Sequence, residues 1–244
     1  MTLVIAAYAK DRSTVVCSDS QSTSQVHKRL DAKKIHIMGK SCILAGAGEP
    51  AYTSMLLSTV RISKDFSIAN VSREMGKMFE EFGPREVVKR HNGLESSVIT
   101  VLIEYSKPRI YRITDVGAFE KIRTGPRGFT SIGSGILWSN WLMRHFYSGD
   151  MERDALLELL VYVVSSVSEV SSSVGGPPRA ATISPMNGGW EAEFVSNTEL
   201  SKITEKVTSR GELLNSFWLK CAEDPSFEKS LYRLAEQEEE GDET

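Results

Sequence analysis

TLVIAAYAKDRSTVVCSDSQST, residues 2–23, decides the reading of this chain. Residues 3–8 (LVIAAY) are apolar without alternation, which predicts a strand covered on both faces. Lys10-Asp11-Arg12-Ser13 is polar and turn-like, and Thr14–Cys17 reads as a second strand, so residues 3–17 form a hairpin. A chain end is usually frayed. Here it leads straight into a buried strand, which would hold Thr2 in place.

Working outward, Lys34-Ile35-His36-Ile37 alternates, and Ser41-Cys42-Ile43-Leu44 runs into the small-residue corner Ala45-Gly46-Ala47-Gly48. The pair reads as a second hairpin with its turn near Gly39. Two helical patterns follow. Residues 50–63 carry Met55, Leu56 and Val60 on one face, and residues 67–82 carry Ile68, Val71, Met75, Met78, Phe79 and Phe82, with Pro84 as a stop. Strands are expected at 97–105 and 109–114 around a turn containing Pro108, then at 118–122 and 128–132. Helices are expected after Gly133-Ser134-Gly135 and again from Met151, and strands at 180–184 and 190–195 around Asn187-Gly188-Gly189. The order is strands, helix pair, strands, helix pair, strands. It predicts an α+β fold in which two antiparallel sheets pack face to face with helices outside, a four-layer αββα sandwich. Residues 1–196 form this domain. Residues 197–244 form a helical extension with breaks expected at Gly211 and Pro225, ending in a disordered acidic tail over 238–244.

Composition narrows the class. The 244 residues are 41% apolar and 25% charged, as in ordinary globular proteins. A net charge of -3 supplies no basic field for nucleic acid. Apolar runs fall short of the roughly 20 residues of a membrane span, and no signal peptide is expected at the start. Cys17, Cys42 and Cys221, and His27, His36, His91 and His145, are dispersed without metal-ligand spacing. A reduced, cytoplasmic protein without metal or cofactor is the expectation.

Three features could carry chemistry. A threonine hydroxyl needs a base beside it, and a free α-amino group, with a pKa near 7.7–8.0, is such a base. Removal of Met1 before the small Thr2 would place nucleophile and base in one residue. Asp19 follows the second strand and Lys34 begins the third. A lysine near that amine would lower the pKa of amine and hydroxyl, and a carboxylate would orient the lysine. Residues alone fit a turn aspartate and a surface lysine equally well. Gly46 ends a strand where an amide could face a developing alkoxide, or it marks a corner that needs small residues.

The chain resembles the β-type subunits of the 20S proteasome and their relatives, which include the HslV peptidase, the Anbu proteins and the connectases. The resemblance runs over residues 2–196. It rests on Thr2 before an apolar strand, Lys10-Asp11, Asp19-Ser20-Gln21-Ser22-Thr23, Lys34-Ile35, Ala45-Gly46, Ile132-Gly133-Ser134-Gly135 and Gly175-Gly176, in that order. It implies an N-terminal-nucleophile hydrolase fold and a threonine peptidase acting through an acyl-enzyme. By it, Thr2 is nucleophile and base, Lys34 tunes it, Asp19 pairs with Lys34, the Gly46 amide serves the oxyanion hole, and Ser134 belongs to the network around the N-terminus. Thr23 and Ala47 would bind the substrate backbone as an added strand. Ala32, His36, Ser22, Leu44 and Gly48 would line the pocket for the side chain before the cleaved bond, with His36 its ionisable wall.

The resemblance also implies a peptide or unfolded-protein substrate, a homo-oligomer of stacked rings and a possible ATPase unfoldase partner. Two readings stand beside a self-compartmentalised peptidase: a transpeptidase or protein ligase with the same Thr2 chemistry, and a non-catalytic ring subunit. The first turn is one residue longer than the family's. Where the family has an aspartate and a serine before the paired glycines, this chain has Ser171 and Val174, with Ser172 or Ser173 available after a small shift.

Overall fold

Strand β1 (Leu3–Tyr8) is buried along its whole length. The computed structural model describes residues 2–23, 28–48, 56, 58–60, 67–82, 97–114 and 117–223. Burying side chains such as Leu3, Val4 and Ile5 stabilises by about 1.5–3 kcal/mol each, which outweighs the roughly 1–2 kcal/mol per residue lost in ordering the backbone. The start of the strand is therefore fixed and does not fray. β1 pairs with β2 (Thr14–Ser18) on one side and with β10 (Phe129–Gly133) on the other. β11 (Arg179–Met186) and β12 (Gly189–Phe194) complete an antiparallel sheet in the order β10-β1-β2-β11-β12.

The second sheet runs β5-β6-β7-β8-β9, from β5 (Ile35–Met38) and β6 (Cys42–Ala47) through β7 (Ser97–Glu104) and β8 (Lys107–Thr114) to β9 (Phe119–Lys121). A short hairpin of β3 (Ser22–Thr23) and β4 (Lys28–Arg29) stands apart. Val4, Ala6, Val16, Ala181 and Ile183 of the first sheet share one core with Ile35, Ile43, Ala45, Ile99 and Val101 of the second. Residues of opposite parity in the second sheet, Met38, Cys42, Leu44, Val98 and Leu102, pack with Val71, Met75 and Met78 of helix α1 (Ile68–Phe82). Helices α2 (Ile136–Phe146) and α3 (Arg153–Val170) cover the first sheet. This is the expected α+β arrangement of two antiparallel five-stranded sheets between helices.

Three local expectations need correction. Pro108 lies inside β8, opposite Ile103, and the turn is Tyr105-Ser106, both at positive φ. Ile103 sends its amide to Ser41, away from β8, so the Ile103–Pro108 pair is the kind that exchanges no ladder bond. Proline costs nothing there because β9 reaches only Tyr111–Ile113. Gly211 does not break the C-terminal helix: α4 runs unbroken over Asn197–Glu223, since one glycine costs only about 1 kcal/mol against alanine. Lys34 sits just before β5 rather than in it. Most of the helix expected over 50–63, together with Pro84, Pro225 and the acidic tail, falls outside the described residues. The chain divides into two units, Met1–Thr204 and Glu205–Thr244. No helix among the described residues is long and apolar enough to cross a membrane.

Candidate active site

The β10–α2 corner is shaped by Gly133. Leu3 lies opposite Gly133 in the register. A side chain at Gly133 would place a Cβ 2.1 Å from the Thr2 carbonyl oxygen, and the residue adopts φ +99°. Both facts require glycine. The close approach brings Ser134 against the start of β1. The Thr2 nitrogen donates to Ser134 Oγ at 3.2 Å, and Ser134 Oγ lies 3.3 Å from the Thr2 carbonyl oxygen. Thr2 itself is 4% exposed. With Met1 attached its nitrogen is a peptide nitrogen.

A chain of hydroxyls continues from there. Ser134 Oγ meets Ser173 Oγ at 2.9 Å, and Ser173 Oγ meets Ser171 Oγ at 2.9 Å. Ser171 caps the C-terminus of α3, and Ser173 is buried in the turn that follows. Of the two serines available by a small shift, Ser173 reaches Ser134, which in turn meets Thr2. Ser172 instead offers its carbonyl to Gln21 Nε2 at 2.8 Å. Val174 is buried, in the close surroundings of Gly135.

Asp19 emerges from the end of β2 and is fully buried. Its Oδ1 accepts from the Leu3 amide at 2.8 Å and from Lys34 Nζ at 2.6 Å. Its Oδ2 accepts from the amides of Gln21 at 3.2 Å and Gly175 at 3.1 Å. One carboxylate thus ties together β1, β2, the residue before β5 and the glycine turn before β11. Gly176 in that turn has φ +75° and packs so tightly on Ser20 Oγ that a Cβ would come within 2.6 Å. The Leu3 amide and the Lys34 ammonium share one oxygen, which holds the ammonium beside the first residues of β1. Burial pushes the Lys34 pKa below the usual lysine value, and the Asp19 carboxylate opposes that shift by charge and hydrogen bond.

The structure therefore brings Thr2, Asp19, Lys34 and Ser134 to one end of the sandwich. Gly46 is there too, but its amide donates to the Lys34 carbonyl at 3.0 Å. Ala47 ends β6 and is buried. His36 and Leu44 face each other across β5 and β6. Leu44 is buried, while His36 is half-buried with Nε2 3.2 Å from the Lys33 carbonyl. The half-buried Ala32 donates its amide to Ser20. Gly48 follows β6 at φ +121°. Ser22 and Thr23 form β3, and only their backbone pairing with Arg29 and Lys28 is described. Sequence reasoning missed the second role of Asp19 as an acceptor for Gly175, because nothing in the spacing of residues 19 and 175 signals it. Cys17 and Cys42 are buried thiols. Burial pushes Cys42 up to about 12 and Cys17 well above the ordinary thiol value, which removes both as thiolate nucleophiles.

Two antiparallel sheets between helix layers form the architecture of the N-terminal-nucleophile hydrolase fold, and in this chain a buried Lys–Asp pair sits by the start of the first strand. The family model for the proteasome subunit matches residues 2–183, and the chain belongs to that family. Solved structures similar to it are Anbu proteins. The Anbu, or ancestral beta-subunit, of Yersinia bercovieri has 13% identity and a TM-score of 0.70, covering 89% of this chain and 97% of its own. A Gly-1 mutant of Anbu from Hyphomicrobium sp. strain MC1 has 15% identity and a TM-score of 0.67, over 88% and 97%. A second Anbu structure from that strain has 16% identity and a TM-score of 0.64, over 88% and 97%. At these identities the likeness is one of fold. No curated protein matches the chain.

Proposed function

We propose that the chain is a threonine peptidase that uses Thr2 as nucleophile and base once Met1 is removed. The observation that carries the reading is the buried Lys34–Asp19 pair at 2.6 Å, fastened through the Leu3 amide to the residue next to Thr2. A lysine is rarely buried without a task or a partner. Here the partner is bonded to the amide of the residue after Thr2, which supports a role for the cation at Thr2.

In this mechanism Thr2 Oγ attacks the scissile carbonyl and its proton passes to the α-amine. The amine returns that proton to the leaving nitrogen as the C–N bond breaks and an ester to Thr2 forms. Water, deprotonated by the same amine, then attacks the ester; the C–Oγ bond breaks, the acid product leaves, and the amine returns the proton to Thr2 Oγ. Lys34 lowers the pKa of hydroxyl and amine, and Asp19 holds Lys34 in place. Ser134 orients the Thr2 nitrogen and Ser173 orients Ser134. Gly46 can serve the oxyanion only by sharing or releasing the bond to the Lys34 carbonyl. Thr23 and Ala47 hold the substrate backbone. Ala32, His36, Ser22, Leu44 and Gly48 line the pocket for the side chain before the cleaved bond.

The working form is a cytoplasmic homo-oligomer of stacked rings acting on peptides or unfolded protein, with an ATPase unfoldase as the natural feeder. A second reading, a non-catalytic ring subunit, draws on the engaged Gly46 amide. The experiment that separates them is intact mass of the purified protein before and after an N-terminal-threonine-directed β-lactone. Peptidase chemistry requires loss of one methionine and one adduct, absent in Thr2→Ala. Retained Met1, or an adduct that survives Thr2→Ala, refutes it.

A further inference from the structure

Behind the Lys34–Asp19 pair the first unit contains a cavity of about 210 Å³. It lies between the residue before β5, the start of β11 and the start of α4. Two of its lining residues are cationic, Lys33 and Arg179. Arg179 is half-buried, and its Nε is sealed from solvent without a hydrogen-bond partner. Among the described residues neither cation appears in an ion pair. The other walls are apolar: Ile35 and Leu200 are buried, and the exposed Phe194 stands at the mouth. Asn197, the first residue of α4, adds a polar group.

A half-buried guanidinium that lines the cavity, with no ion-pair partner among the described residues, can take an anion. Its planar fork matches a carboxylate. Apolar walls around a cationic end favour an amphiphile with one anionic head over a bare ion. At about 30 Å³ for a water-sized group, the space holds roughly seven heavy atoms. We propose that this cavity is a binding site for a carboxylate carried on a short branched apolar body, with Arg179 gripping the carboxylate and Ile35, Phe194 and Leu200 enclosing the body. Both a free aliphatic acid and the C-terminal residue of a peptide present that chemistry. Lys33 adjoins Lys34, and Arg179 lies opposite Ser18, which adjoins Asp19. A bound acid therefore touches the neighbour of Lys34 and the cross-strand partner of the residue before Asp19. The site does not depend on Thr2 chemistry.

The test is calorimetric titration of the full-length protein with isovalerate at pH 7, against isovaleramide and acetate as controls. A dissociation constant of about 1 mM is expected for a ligand of this size, with at least tenfold weaker binding of both controls. Arg179→Gln should weaken isovalerate binding about tenfold or more, because a charge-assisted bond is lost, and Lys33→Gln by about two- to threefold, since that ammonium is exposed. Phe194→Asp, at an exposed position, should abolish binding by placing an anion at the mouth, and it decides the matter if Arg179→Gln does not fold. N-acetyl-Ala-Val with a free carboxylate, compared with its C-terminal amide, separates the sources. Binding of that peptide tighter than isovalerate marks a peptide end, and weaker binding marks a free acid. Equal binding of isovalerate and isovaleramide, acetate binding as tightly as isovalerate, or unchanged affinity in Phe194→Asp overturns the proposal. Because the readout is binding alone, its failure is independent of whether Thr2 is a nucleophile.

Discussion

Replacing Asp19 by Asn tests the centre of the site, because it removes one charge and almost no volume. Four donors converge on the carboxylate, two on each oxygen. An amide has one acceptor oxygen and one NH2 group, so one donor pair must face N–H groups. Lys34, 7% exposed, is left without a counter-charge. Removing one member of a buried pair costs about 3–5 kcal/mol. The loss has a ceiling, because Lys34 can shed its proton. From an ordinary pKa of about 10.4, at 1.36 kcal/mol per unit, that route costs about 4.6 kcal/mol at pH 7. Burial already lowers the Lys34 pKa, so the ceiling is lower still.

The expected loss is about 3–4 kcal/mol, a large part of the roughly 5–15 kcal/mol of a typical domain. Urea melts measure it. With the folded-state lysine pKa depressed further in the variant, the unfolded state binds more protons as pH rises from 7 towards 10. The variant should therefore regain stability relative to wild type over that range. Lys34→Met should cost less, since Asp19 keeps three backbone amides, and the double variant should cost less than the two singles together. A loss below about 1 kcal/mol in Asp19→Asn, unchanged between pH 7 and 10, would refute the coupling of the pair.

Two further outcomes follow from the proposed chemistry. The rate of β-lactone acylation should rise with pH through a midpoint below the ordinary 7.7–8.0 of an α-amine, because Lys34 disfavours the ammonium. It should fall again, below the ordinary lysine range, as Lys34 loses its proton; a rate flat from pH 5 to 10 counts against amine and lysine together. Ser173→Ala should lower that rate about tenfold or more by releasing Ser134, without loss of the fold, and Ser171→Asp should move the lower midpoint upward by stabilising the protonated amine. If Ser173→Ala acylates at the wild-type rate, the hydroxyl chain only fills space.

The order of strands and helices along the chain was legible because it rests on local periodicity; the order of strands within each sheet, with β10 beside β1 and β5 in the other sheet, was not, because it rests on long-range pairing. Residues 3–8 and 14–17 lack alternation because helices cover one face and the second sheet the other. Gly133 was legible as part of a motif, but its reason was not: the 2.1 Å approach to the Thr2 carbonyl depends on pairing over a separation of more than a hundred residues. The same holds for Asp19 and Gly175. Pro108 was misplaced because proline marks turns on average, and what licensed it in a strand is the short reach of β9, a tertiary fact. Gly211 was misread because a glycine lowers helix propensity without removing a hydrogen bond.

The departure at residues 171–174 acquires a physical sense from the hydroxyl chain. Thr2 is 4% exposed, and the groups bonded to its backbone nitrogen and carbonyl include the hydroxyl of Ser134, which leads on to Ser173 and Ser171. The buried charges nearby, Lys34 and Asp19, are bound to each other. If Met1 is removed, an α-amine appears in that setting. Its protonated form would be penalised by burial and by the Lys34 cation, and a hydroxyl chain offers it dipoles in place of a counter-charge. A carboxylate at 171 would reverse part of that penalty. A serine there would favour the neutral amine, which is the form a general base requires. On this view a serine in place of the acidic residue would leave the base intact and shift its working range to lower pH. A serine-for-aspartate exchange that looks like decay in the sequence would then be a change of operating pH, and the Ser171→Asp midpoint would measure its size.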